Sequence, residues 1–161
     1  MHYVKPVEAR TLANCATNFK LTIPDDIYQK IAYWLTKTKN EVSGFGSLDW
    51  NAETATYTVK DVVLLKQEVG RTSTEIDPIA LGKVMYQMKD EPLGLKWHWH
   101  THPNMRVFWS GDDMEIIRSL GQRGWIIATV FNEKGEHKSA FYTATEVMGQ
   151  AHDIFKDDLP T

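Results

Sequence analysis

Residues 98–113 read HWHTHPNMRVFWSGDD, a run that sets imidazoles and a carboxylate at a spacing a metal ion can use. His100 and His102 are two apart, so in an extended segment both rings leave the backbone on the same face. Two neutral imidazoles on one face suit zinc. Asp113, eleven residues after His102, can add an oxygen and leave the fourth tetrahedral position open to water. Three protein ligands plus water is the catalytic pattern for zinc. A zinc ion held by His100, His102 and Asp113 would lower the pKa of its water to about 7 and make hydroxide available at neutral pH. That chemistry needs a proton acceptor that later protonates a leaving amine, and Glu41 fits this role without being a ligand. Attack on an amide carbonyl develops an oxyanion, for which the Ser110 hydroxyl is a donor placed in sequence beside the metal.

Each of these residues also has a plainer role. Ser110-Gly-Asp-Asp113 ahead of Met114, Ile116, Ile117 and Leu120 reads as a helix start, with Ser110 as N-cap and Asp113 near the capping-box position. The three histidines could line an exposed strand face, and a glutamate such as Glu41 is by default solvated. The conjunction of all of them favours a site. His98 is one imidazole too many for a tetrahedral catalytic zinc, and is read as a hydrogen-bonded neighbour or surface residue outside the ligand set. Phe108 and Trp109 either wall a substrate groove or pack.

His-Thr-His-Pro, then Ser110, then Asp113, preceded by Glu41-Val42-Ser43-Gly44, resembles the motif of the JAMM (MPN-plus) zinc metalloproteases, His-x-His-Pro followed by Ser-x-x-Asp with an upstream Glu-x-x-Gly. Every fixed position is filled, across residues 41–113. The resemblance is to the short, free-standing members of bacterial or viral type. It implies zinc on His100, His102 and Asp113, catalytic roles for Glu41 and Ser110, and one metalloprotease domain over residues 1–161 with a central curved sheet of the deaminase-like kind between helices. Family members that act on ubiquitin chains often carry Gly-Trp-Tyr before the first histidine, where this chain has Trp97, His98 and Trp99.

The elements that would position these residues are legible in the periodicity. After an irregular segment over 1–20, Pro24, Asp25 and Asp26 form a first helical turn, and Ile27, Ile31, Trp34 and Leu35 make one apolar stripe on a helix ending near Asn40. A strand from Glu41 (EVSGFGSLDW), a turn at Asn51–Glu53 and a β-branched run over Thr56–Leu65 read as a hairpin or meander. Arg71–Ile76 reads as a further strand. Asp77-Pro78 opens a helix with Leu81, Val84, Met85 and Met88 on one face. Leu95–His102 alternates Trp97 and Trp99 with His98, His100 and His102, putting core and metal site back to back. A helix over Asp112–Leu120 stops at Gly121, Trp125–Phe131 is a buried strand, and a turn at Asn132–Gly135 leads to a strand over His137–Thr143. Val147, Met148, Ala151, Ile154 and Phe155 predict a weak final helix. Interleaved helices and hairpins predict an α/β (α+β) domain, a mixed sheet flanked by helices.

Composition narrows the function classes. The 161 residues are the size of one domain. With 18 lysines and arginines against 21 acidic residues, a formal charge of −3, and no long block of either sign, nucleic acid is disfavoured as a partner. The start MHYVKPVEAR lacks the apolar run of a signal peptide and no segment reaches the length of a membrane span, so a cytoplasmic protein without a membrane partner is expected. The single cysteine, Cys15, excludes an intrachain disulfide, a multi-cysteine zinc site and the Pro-Cys-x-x-Cys signature of zinc nucleobase deaminases. The HExxH signature is absent. The resemblance implies hydrolysis of a peptide or isopeptide bond, deubiquitinase-like, after the C-terminal tail of a ubiquitin-like protein. The alternatives are a general zinc peptidase and a non-catalytic scaffold module of the same fold.

Overall fold

Alternation along the fourth strand divides the molecule into a tryptophan face and a histidine face. The computed structural model describes residues 19–65, 77–122 and 124–160. Its elements, in order, are β1 (Lys20–Thr22), α1 (Asp25–Lys37), β2 (Ser43–Asn51), β3 (Thr56–Leu65), α2 (Pro78–Gln87), β4 (Trp97–Thr101), α3 (Gly111–Gly121), β5 (Trp125–Phe131), β6 (His137–Val147) and β7 (Gln150–Lys156). The strands form one mixed sheet in the order β1-β3-β2-β4-β5-β6-β7. β1 runs parallel to β3 and β4 parallel to β5, and the other pairs are antiparallel. The parallel pair β4 and β5 requires a crossover, which α3 supplies.

On the tryptophan face, Trp97 and Trp99 are buried among Leu21, Ile127, Phe131 and Phe141, and the stripe Ile27, Ile31, Trp34 and Leu35 lays α1 over them. The sheet curls around this core. Phe19, beside β1, meets Phe141 of β6 edge-on at 5.2 Å, and Tyr57 of β3 meets Trp125 of β5 at 5.3 Å. The tail after β7 bridges the two ends of the curl: the Leu159 amide donates to the Ser139 carbonyl at 2.9 Å and the Leu21 amide to the Pro160 carbonyl at 2.9 Å. Buried polar groups on this face are paired, the Trp97 indole donating to Thr129 at 2.9 Å and Thr129 sharing a hydrogen bond with Ser139 at 2.8 Å. On the histidine face, α2 buries Val84 and Met88 against Phe45 and Leu65, and α3 buries Ile117 against Ile126, Ala128 and Tyr142.

Gly44, the glycine of the Glu-x-x-Gly segment, is required by packing on the tryptophan side. A Cβ there would lie 1.9 Å from the Val63 carbonyl oxygen and 2.7 Å from the Trp99 ring. That ring is itself pinned by Trp34, stacked at 5.4 Å and 9°. Neither neighbour can yield without breaking sheet or stack. Gly44→Ala is therefore expected to cost at least about 2 kcal/mol, as overpacking of a filled core does. A fall in Tm of about 4–8 °C would register it, and an unchanged Tm would refute this account of the glycine.

Several boundaries differ from expectation. Residues 1–18 of the irregular segment, including Cys15, and the strand expected at Arg71–Ile76 lie outside the described residues, whereas Lys20 already belongs to β1. Helix α1 ends at Lys37, because Thr38 turns extended (φ −148°, ψ 148°) and its hydroxyl accepts the Asn40 amide at 3.0 Å. Met85 is 52% exposed and not part of the buried face of α2. Helix α3 stops at Gly121, as expected, and the glycine also serves close packing, since a Cβ there would meet the Tyr142 ring at 2.3 Å. The expected final helix is a strand. Met148 (φ 54°) and Gly149 (φ 78°) make a tight turn of left-handed residues after an extended β6, and β7 pairs back with Thr145 opposite His152. Among the described residues, no helix is long and apolar enough to cross a membrane.

Candidate metal centre

Strand β4 carries the histidine pair up to the end of the sheet. His100 lies opposite Ser43 of β2, and His102, one residue past the strand, continues the parallel ladder by donating its amide to the Phe131 carbonyl at 2.8 Å. Both side chains are buried, at 7% and 2% relative exposure, so their orientation is set by packing. Helix α3 brings the third group. Ser110 caps it through a complete capping box: the Ser110 hydroxyl accepts the Asp113 amide at 3.1 Å, and the Asp113 carboxylate accepts the Ser110 amide at 2.9 Å. The two readings of this segment are thus compatible, because the bond that starts the helix also aims Asp113 at the histidines.

The three groups converge. Oδ2 of Asp113 lies 3.1 Å from Nε2 of His100 and 3.3 Å from Nε2 of His102, and the ligating atoms of the trio all lie within 4.8 Å of one another. Bonds of about 2.0–2.2 Å to one tetrahedral ion place ligand atoms roughly 3.4 Å apart. The two separations from Asp113 to the histidines match that spacing. Nε2 of His100 is buried without a hydrogen-bond partner despite its closeness to Asp113. Buried polar atoms are ordinarily satisfied, and a cation between the three groups would satisfy this one. His100, His102 and Asp113 therefore form a buried group able to hold a metal ion.

The electrostatics agree with a cation site. Burial alone would raise the Asp113 carboxyl, yet the close approach of the His100 and His102 rings, reinforced by the Ser110 amide, holds it far below the usual carboxylate range. Asp113 is an anion at every ordinary pH. Its hydrogen bond raises His102; burial opposes the rise, and the charges of Asp113 and Glu41 add to it. His98 is pushed down to about 3, first by burial and then by His100, and is a neutral ring at physiological pH.

Glu41 is exposed on the segment that leads into β2, near enough for its charge to act on His102. That segment is tied to the end of β4 by Thr101, whose hydroxyl accepts the Val42 amide at 3.0 Å and donates to the Val42 carbonyl at 3.3 Å. His98 stays outside the trio, tilted against Phe45 at 5.0 Å, with Nδ1 buried and unpartnered. Phe108 lies against His102 at 4.8 Å and Trp109 against His100 at 6.0 Å, so the two rings flank the histidine pair and do not merely pack elsewhere.

Two supports of the site had no sequence signal of their own. Asn132, in the turn after β5, donates to the Met105 carbonyl at 3.1 Å, fixing the loop that follows His102, while its oxygen accepts the Lys134 and Glu136 amides at 3.0 Å each. Thr101, between the two histidines, ties the end of β4 to the segment before β2. No family model and no curated protein matches this chain.

Proposed function

We propose that this chain is a zinc-dependent hydrolase of peptide or isopeptide bonds, a short JAMM-type metallopeptidase that cuts after the C-terminal tail of a ubiquitin-like protein. The observation that carries the reading is the buried convergence of His100, His102 and Asp113, with Glu41 near enough for its charge to act on His102. These are the residues of the motif, in a curled mixed sheet flanked by helices of the kind that family's fold implies. Two imidazoles and one carboxylate are a donor set that suits zinc among the divalent cations.

Zinc, when bound, supplies a Lewis acid that polarises the carbonyl and acidifies water. The chain's own groups do the rest. Glu41, exposed to solvent beside the ligands and not one of them, accepts the proton of the attacking water and returns it to the leaving nitrogen as the C–N bond breaks. The Ser110 hydroxyl accepts the Asp113 amide, which leaves its own hydrogen without an acceptor among the described residues. That hydrogen is free to donate to the oxyanion as it forms. Phe108 and Trp109 on either side of the histidines would obstruct a bulky residue at the scissile carbonyl and admit an extended Gly-Gly tail.

Incubation of the zinc-loaded protein with ubiquitin-like fusions, linked diubiquitins and a peptide library, each with and without a chelator, tests the reading. Chelator-sensitive cleavage directly after the ubiquitin-like tail is expected. New ends inside unrelated unfolded peptides, with the conjugates intact, would point to a general peptidase, and no cleavage of any substrate to a scaffold module.

A further inference from the structure

Trp109 is held by a contact unrelated to helix capping or to the metal ligands. Its indole Nε1–H donates to Oδ1 of Asp157 at 2.8 Å, across 48 residues of chain. Asp157 is itself fixed: its other oxygen pairs with Lys138 at 2.9 Å, and Oδ1 also accepts the Asp158 amide at 2.8 Å. Two residues on, Leu159 is buried and its amide is bound to the Ser139 carbonyl, so the backbone carrying Asp157 is anchored on both sides, by β7 and by the core. One side of Trp109 packs on the cluster of Ile117, Ile126 and Tyr142, with Phe155 of β7 edge-on at 6.3 Å, and the ring also meets His100. Packing alone would place an indole at this wall. A carboxylate anchor also sets its rotation, because the N–H must point at Asp157.

We propose that Trp109 is the specificity-determining wall of the metal site, selecting small, extended residues on the carbonyl side of the scissile bond, and that the segment after β7 sets its position through Asp157. The inference rests on the hydrolase reading for its substrate half and on geometry alone for its anchoring half. An indole fixed beside His100 offers a flat face to a glycine backbone and collides with a branched or aromatic side chain. Released, it would swing and admit both.

Two measurements test the halves separately. Copper(II) added to the metal-free protein quenches nearby indoles, and the part of the quenching missing from Trp109→Phe belongs to Trp109. Asp157→Ala is expected to lose that same part. Asp157→Asn, whose amide oxygen still accepts the indole hydrogen, is expected to retain it. Full quenching in Asp157→Ala would overturn the anchor, whether or not the protein hydrolyses anything. For the substrate half, the kcat/KM preference for glycine over leucine before the scissile bond is compared in zinc-loaded protein. Trp109→Ala should lower it about tenfold, the scale of discrimination by one apolar wall, and Asp157→Ala should move it in the same direction through KM. An unchanged preference in Trp109→Ala would overturn the wall. Absence of hydrolysis by the unmutated protein would remove the hydrolase reading and this half with it, leaving the quenching result to stand.

Discussion

Replacing Asp113 with alanine is expected to lower zinc affinity by more than about 100-fold, beyond the cost of losing an outer partner of a metal ligand. Among the described residues, this carboxylate is the single anion that touches both histidines, at 3.1 and 3.3 Å, and without it two neutral imidazoles face a divalent cation with little charge to meet it. Titration calorimetry with the metal-free protein would measure one zinc per chain before the change and weak or no binding after it. Ser110→Ala separates ligation from capping, because it removes one helix-start bond, worth about 1 kcal/mol of stability, and should leave zinc affinity nearly intact. His98→Ala should likewise keep the metal. The pH dependence carries a further signature. In the metal-free protein Asp113 raises His102, and zinc must displace that proton, so binding weakens as pH falls through the raised His102 range. In Asp113→Ala the main cause of the rise is gone, and whatever binding survives should persist to lower pH. Full zinc affinity in the alanine variant would overturn the ligand assignment.

What could be read from the chain is what local periodicity encodes. The period-two alternation of Trp97 to His102 predicted two opposed faces, and the structure puts Trp97 and Trp99 in the core while His100 and His102 meet Asp113. The apolar run Trp125–Phe131 is β5 residue for residue, and Ser110 with Asp113 is the capping box its spacing implied. The final helix was misread because Val147, Met148, Ala151, Ile154 and Phe155 fall at spacings of one to four that a helix face also shows. The deciding feature is a turn at Met148 and Gly149, both with positive φ, and methionine gives little sign of adopting that conformation. Gly121 does end its helix, as glycine often does, but its close approach to the ring of Tyr142 across the fold left no sign in the local sequence. The site's supports share this character. Thr101 to Val42, Asn132 to Met105 and Trp109 to Asp157 join residues 59, 27 and 48 apart, distances over which periodicity carries no information.

Glu41→Gln is expected to leave fold and zinc binding intact and to reduce hydrolysis by about 10²- to 10⁴-fold, the usual loss when a general base is removed. The amide has nearly the shape of the carboxylate but cannot take a proton from water at neutral pH. Structural compensation is not needed, since Glu41 is exposed and the segment bearing it is held by backbone bonds to Thr101, not by its own side chain. Thermal unfolding should therefore be unchanged. One electrostatic trace should accompany the loss of activity: the Glu41 charge contributes to the raised His102, so its removal should ease zinc binding slightly on the acidic side. Turnover is best measured on whichever substrate the panel identifies, with zinc content determined on the same sample, so that lost metal cannot pass for a lost base. Normal turnover in the glutamine variant would sink the mechanism even if zinc and the three ligands are confirmed, because among the described residues the other carboxylate acting on the histidines is Asp113, which the mechanism assigns to the metal.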